Sequence, residues 1–174
     1  MHQRDLRIRR ILEELKERMY IHREPVAGLE ISPRGENAFK PFENGALWGG
    51  EGEWWDFRVH AQVPASFTGA VLLAATTGYE SGWEAVNPQF VVKQDGKIIQ
   101  ALDTRHTTCL LMGKAVPGAR IELELNAYAA DVKQPPRLYL ELCDRDDEVM
   151  GLVYDISVPW EAVKLMPEHE RERE

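Results

Sequence analysis

The apolar positions change period along the chain. In residues 1–24, Leu6, Ile8, Ile11, Leu12, Leu15 and Met19 recur chiefly at three- and four-residue steps, the stripe of an amphipathic helix. Asp5/Arg9, Arg9/Glu13 and Glu14/Arg18 stand four apart on its polar side, and Asp5 near the start suits the helix dipole. A helix this short needs a surface to pack on. Over 25–52 the periodicity stops. Pro25, Pro33-Arg34-Gly35, Pro41, Asn44-Gly45 and Gly49-Gly50 predict an extended arm with turns, pinned by Leu29, Ile31, Phe39, Phe42 and Trp48.

From 53 to 158 the period becomes two. Phe57, Val59, Ala61 and Val63 alternate with Arg58, His60 and Gln62, which predicts a strand with one wet face. Ala70 to Thr76 is continuously apolar and suits a central strand. Residues 89–93 and 97–100 flank Asp95-Gly96, a hairpin signal, because that pair accepts the positive φ of a tight turn. Thr108–Met112, Ile121/Leu123/Leu125/Ala127 and Leu138/Leu140/Leu142 predict further strands, and Val149–Val158 one more. With no helix between them for a parallel crossover, these form an antiparallel β-sandwich of jelly-roll, galactose-binding-domain-like type. The N-terminal amphipathic helix precedes it. A short C-terminal helix follows over 159–174, with Ser157 as cap, Pro159 in its first turn and a linker-like end.

At 174 residues and 19.9 kDa, with 44% apolar and 29% charged positions, the chain reads as one domain with one core. No run of 18 apolar residues is present, and the N-terminus lacks a signal peptide's apolar stretch. The expectation is a cytoplasmic protein without a membrane partner. The formal charge of −8 is carried mostly by residues 141–174, which sum to −7, while residues 1–24 sum to +2. An acidic chain is a poor backbone-tracking binder, so no nucleic-acid partner is expected; Arg4, Arg7, Arg9 and Arg10 read as a solvated helix face. Cys109 and Cys143 lie in apolar runs with no C-x-x-C pair. Their spacing allows a disulfide without demanding one, and reduced core thiols fit better.

Candidate chemistry is sparse. Glu122 and Glu124 fall on the wet face of a strand, not in an apolar pocket that would raise a catalytic pKa. His2, His22, His60, His106 and His169 form no H-x-H or H-E-x-x-H pattern, so no metal site is assigned. Asp103 and His106 stand three apart in D-T-R-H, where a turn hydrogen bond is the plain role and ligand contact the sharper one. Trp48, Trp54 and Trp55 cluster among Gly49, Gly50 and Gly52; the adjacent pair must point to opposite faces if extended. Trp83 falls in a loop near Asn87. An exposed indole beside amide or carboxylate groups is how a sugar ring is held, so Trp54, Trp55, Trp83, Asn87, Asp103 and His106 are the candidate carbohydrate or interdomain contacts.

Several segments carry a resemblance. W-G-G (48–50), W-W-D-F-R-V (54–59), N-P-Q-F-V-V-K-Q-D-G-K-I-I-Q-A-L-D (87–103), R-H-T-T-C-L-L (105–111) and A-V-P-G-A-R-I-E-L-E-L-N-A-Y-A (115–129) resemble the N-terminal domain of bacterial and archaeal family 38 α-mannosidases. D-E-V-M-G-L-V-Y-D-I-S-V-P-W-E-A-V-K-L-M-P (147–167) resembles the segment leading from that domain toward the catalytic barrel. Asp103 and His106 match the family's turn, while Ala101 and Arg105 stand where relatives carry Gly and Asn. The resemblance implies a multidomain glycoside hydrolase that retains configuration. Its zinc is held by two histidines and two aspartates of a catalytic domain beyond the region resembled. None of those residues carries over, so no catalytic residue, metal ligand or cofactor is expected here. The expectation is a non-catalytic domain, inactive alone, that packs on a catalytic domain of the same or a companion polypeptide. The alternative is an independent carbohydrate-binding module. An α-mannoside or oligosaccharide and a second copy of the chain are the other candidate partners.

Overall fold

The computed structural model describes residues 2–78, 80, 88–129 and 134–166. The elements run α1 (His2–Arg18), β1 (Tyr20–Pro25), β2 (Gly28–Pro33), β3 (Lys40–Pro41), β4 (Glu53–Gln62), β5 (Ala70–Thr76), β6 (Gln89–Gln94), β7 (Lys97–Leu102), β8 (Thr108–Met112), β9 (Arg120–Ala129), β10 (Tyr139–Arg145) and α2 (Asp147–Leu165). They divide into a β unit, His22–Asp144, and a helical unit built from the segments before and after it.

The β unit holds two antiparallel sheets, ordered β1-β10-β5-β8 and β3-β2-β4-β9-β6-β7. Alternation places one residue in two on the inner side. Phe57, Val59 and Val63, Ile121, Leu123 and Leu125, and Leu138, Leu140 and Leu142 are all buried, as the period-two runs predict. Registers Phe57↔Leu125 and Val59↔Leu123 set β4 and β9 side chains beside each other. Inner residues of both sheets merge into one cluster with Leu29, Trp48, Phe67 and Phe90, which makes the arrangement β-sandwich-like. The β6–β7 hairpin turns on Asp95 (φ 51°) and Gly96 (φ 73°), the positive-φ pair its sequence predicts.

Cys109 belongs to the core cluster opposite Leu73, whereas Cys143 follows the core residue Leu142 and so faces the other side of its sheet. Both are free thiols, and opposite faces rule out a bridge between them. Burial pushes the Cys143 thiol up to about 11 and raises Cys109 as well.

Three expectations about elements are corrected. Helix α1 ends at Arg18, and β1 begins at Tyr20, inside the stretch expected to be helix. The arm over 25–52 contributes β2 and β3, because Leu29 and Ile31 pack on the core while Glu30 and Ile31 pair with Pro41 and Lys40. The largest correction concerns Val149–Val158, which is helix, not strand. Asp146 caps it, its Oδ1 accepting the N–H groups of Glu148 (2.9 Å) and Val149 (3.0 Å). Asp147 and Glu148 fill the first turn, where the dipole favours carboxylates. Ser157 and Pro159 therefore lie inside α2 rather than at its start.

The helical unit brings α1 and α2 together, with the Asp146 N–H donating to the Met19 carbonyl at 2.9 Å. On α1 the stripe is only partly covered: Leu12 is buried, and Leu6 and Ile11 are exposed. The four-apart ion pair that forms there is Arg10–Glu14, at 3.1 Å, and not one that the pattern suggests.

Candidate functional site

The glycine-rich loop between β3 and β4 builds an aromatic corner on the β unit. Trp48 donates its backbone N–H to Pro136 O at 2.9 Å, and Leu47 bridges Arg137. Gly49 then takes φ 64°; a Cβ there would stand 3.2 Å from the Ala129 Cβ and 3.6 Å from the Trp55 ring. Glycine thus lets the loop close against Trp55. Gly52 N–H donates to Ala129 O at 2.7 Å and starts β4 beside β9.

Trp54 and Trp55 face opposite ways, as an extended pair must. Trp55 packs half-buried against the core, its Nε1 donating to Glu53 Oε2 at 3.0 Å. Trp54 is exposed on the outer face, stacked on Tyr128 with centroids 4.3 Å apart, and carries the Arg34 guanidinium 4.5 Å from its ring centre. Tyr128 comes from β9 and Arg34 from the end of β2, the strands on either side of β4. Both groups contact the indole, which remains 47% exposed.

Beside Trp55 lies a groove of about 460 Å³, walled by Ile31, Phe42, Trp48, Trp55, Lys40 and Pro135. Trp48 sits almost wholly inside, edge-on to Phe57 (5.3 Å, 90°) and tilted against Phe90 (5.6 Å). Its indole N–H is buried and has no hydrogen-bond partner among the described residues. The Lys40 ammonium likewise has no ion pair or hydrogen bond among them.

Asp103 and His106 form a turn well separated in sequence from the tryptophans. Asp103 Oδ1 accepts the backbone N–H groups of Arg105 and His106, each at 2.7 Å, and meets His106 Nδ1 at 3.1 Å. Partial burial pushes this carboxyl up, but the two backbone donors and the imidazole outweigh it and hold its pKa below the ordinary value. The His106 ring is exposed. This pair does the work of a turn. Trp83 and Asn87 lie outside the described residues.

Glu122 and Glu124 are on the wet face, as their alternation predicts. Glu122 Oε2 stands 2.6 Å from His60 Nδ1, and Glu30 approaches the other ring nitrogen at 3.6 Å. Among the described residues no three His, Cys, Asp or Glu side chains are grouped so that they could hold a metal ion. Also among them, no helix is long and apolar enough to cross a membrane.

Lys40 and Pro135 escape a reading of the sequence because each enters the groove from a segment distant from the tryptophans. The visible signal was Trp48 and Trp55 joined by glycines. Two polar anchors were equally hidden. Asn44 donates to Val26 O (2.9 Å) and Leu140 O (2.7 Å) while accepting from Leu140 N. The buried Asp144 carboxylate accepts the Thr68 and Gly69 N–H groups. Both hold the β unit's loops to β10 and leave no free functional group.

No protein-family model matches this chain, and no curated protein matches it.

Proposed function

We propose that this chain is a non-catalytic, jelly-roll-type domain that docks on the catalytic barrel of a family 38 α-mannosidase. The observation that carries the reading is helix α2. Its sequence, D-E-V-M-G-L-V-Y-D-I-S-V-P-W-E-A-V-K-L, is apolar on more than one side, yet Val153 is its one buried side chain. Leu152, Tyr154, Val158 and Leu165 are exposed, Val158 at 62% and Leu165 at 88%. A helix apolar around its circumference belongs in a core or an interface. The same segment is the one whose sequence resembles the lead into the barrel. The sandwich carries no cluster of three metal-ligating side chains among its described residues. Two buried, unbridged thiols fit a cytoplasmic setting.

The test is titration of the chain with a separately produced catalytic barrel of such an enzyme, followed by sedimentation and by hydrolysis of an aryl α-mannoside. We expect a stoichiometric complex, no nitrophenol release by the chain alone, and loss of the complex in a folded Leu152→Glu/Val158→Glu variant. Absence of any complex, or hydrolysis by the isolated chain that one of its own substitutions abolishes, would overturn the reading.

A further inference from the structure

We infer that the free edge of β8 pairs with the same strand of a second copy of this chain, joining the β1-β10-β5-β8 sheets of the two copies into one continuous sheet. This goes beyond docking through α2, and it uses a different part of the molecule.

Among the described residues the sheets end on β1 and β8 in one and on β3 and β7 in the other. An edge strand exposes a row of backbone donors and acceptors, and folded proteins blunt such rows with charge, proline, bulges or extreme shortness. Three of these edges are blunted. β1 carries Arg23 and Glu24 and ends in Pro25. β3 is two residues long and ends in Pro41. β7 opens on Lys97, and its register against β6 slips between Val92 and Lys93. The fourth differs. β8, Thr-Cys-Leu-Leu-Met, has no charge and no proline. Its irregularity against β5 lies past Leu110, so Thr108, Cys109 and Leu110 pair in unbroken register with Ala74, Leu73 and Leu72.

That register sets the direction of the peptide groups. Antiparallel pairs alternate between residues that exchange hydrogen bonds and residues that do not. The Ala75 N–H donates to Thr107 O at 2.8 Å, which makes Ala75 and Thr107 an exchanging pair. Two residues along, Leu73 and Cys109 are the next. Thr108 and Leu110 fall between and beyond, so their N–H and C=O groups point away from β5, off the edge. Thr108 O bears this out by accepting Gln100 Nε2 at 2.8 Å from β7 of the other sheet. The Leu110 N–H has no partner among the described residues, and its carbonyl meets among them only the weak Cys109 thiol donor at 3.9 Å. The Leu110 side chain points opposite to the core residue Cys109 and is 48% exposed.

A donor and an acceptor on one extended residue are matched by another extended backbone. A second β8 fits them best. Set antiparallel about a two-fold axis at Leu110, it exchanges the Leu110 N–H and C=O reciprocally with the copy and places the two exposed leucine side chains opposite each other. No like charges meet in that register, because Thr108–Met112 carries none. The copy's β1 or β7 would instead bring charged side chains to the apolar edge. A contact of one short strand is small, which places the association at the weak end of protein–protein affinities.

The test is sedimentation of the whole chain over a concentration series, with amide hydrogen exchange at Leu110. We expect a monomer–dimer equilibrium between about 10 μM and 1 mM, with exchange of the Leu110 N–H slowing as the dimer forms. Leu110→Lys sets two ammonium groups opposite each other and should abolish the dimer; lysine is a residue that natural edge strands carry, so the fold should persist. Leu110→Glu should abolish it in the same way. An equimolar mixture of the two variants should restore it, because opposite charges then face each other. The inference is overturned if the parent stays monomeric at about 1 mM, if Leu110→Lys associates as the parent does, or if the mixture stays monomeric. The Leu152→Glu/Val158→Glu variant should dimerise as the parent does, so failure of docking and failure of strand pairing are separately visible. Loss of the dimer in that variant would move the contact to α2 and overturn the inference as well.

Discussion

The β unit and the helical unit handle apolar side chains in opposite ways. In the first, Phe57, Val59, Leu125, Leu138 and Leu140 are completely buried, and each strand's inner positions meet those of another strand. In the second, Leu12 and Val153 are the buried side chains among the described residues, while Leu6, Ile11, Leu152, Val158 and Leu165 are exposed. Hydrophobic burial scales with area removed from water, and the β unit sets a full core beside its exposed Leu47, Ile98, Leu110 and Val116, whereas the helices bury little beyond Leu12 and Val153. Composition alone does not separate the two regions. Their difference lies in whether a buried core accompanies the exposed apolar residues, as it does in the β unit and barely does in the helices.

The sharpest way to break this comparison is a matched truncation. Leu140→Ala, in the core of the β unit, should cost about 2–5 kcal/mol, the range for removing a buried leucine side chain and leaving a cavity. Leu152→Ala, on exposed α2, should change stability by no more than about 0.5 kcal/mol. Urea unfolding of the two variants beside the parent checks both. Equal costs would mean that α2 is already packed, and the contrast between the units would collapse.

Period two made the β unit legible because a half-buried strand must alternate. Phe57 through Val63 and Ile121 through Ala127 show this, and Asp95-Gly96 fixes the hairpin because few other pairs tolerate both turn angles. The arm hid β2 and β3, since prolines and glycines at 25, 33, 35 and 41 break up runs too short to show a period. Val149–Val158 misleads for a different reason. Its β-branched and aromatic residues favour strand, but they lack strict alternation, and the local start signal at Asp146, Asp147 and Glu148 wins. The candidate site was legible only as a cluster of tryptophans. Which indole is stacked and which lines a groove depends on Arg34, Tyr128, Lys40 and Pro135, brought in by strand pairing and loop closure over long sequence distances. Asp103 and His106 were legible as a turn because their contacts are local.

The second prediction sharpens the comparison from the helical side. If α2 owes its existence to local signals rather than to burial, its N-cap should matter more than most of its apolar residues. Asp146→Ala removes the acceptor for the Glu148 and Val149 N–H groups and should cost about 1 kcal/mol, against a few tenths for Asp146→Gly. Loss of helical circular dichroism on mild heating, ahead of the loss of β signal, is the expected pattern. An Asp146→Ala protein with unchanged helical melting would show that α2 is held by something other than its cap.

The smallest effect belongs to the β unit and concerns pH. Asp103 has a pKa held below the ordinary value in the folded chain by the Arg105 and His106 N–H groups and the His106 ring, against the upward pull of partial burial. A carboxyl depressed on folding binds fewer protons folded than unfolded, so it stabilises the fold at neutral pH. That contribution is complete above the unfolded carboxylate range and declines as pH falls toward and through the lowered folded value. Because the turn is close to solvent, screening should keep the amount below about 1 kcal/mol. Asp103→Asn keeps an oxygen to accept the two N–H groups and removes the charge. Its stability should therefore approach that of the parent as pH falls and lie slightly below it near neutrality. Denaturant midpoints of parent and variant, measured from neutral to acid pH, should converge on the acid side. Curves that stay parallel, or that converge toward neutral pH, would show that the carboxylate's charge contributes nothing to the turn and that its backbone hydrogen bonds alone hold it.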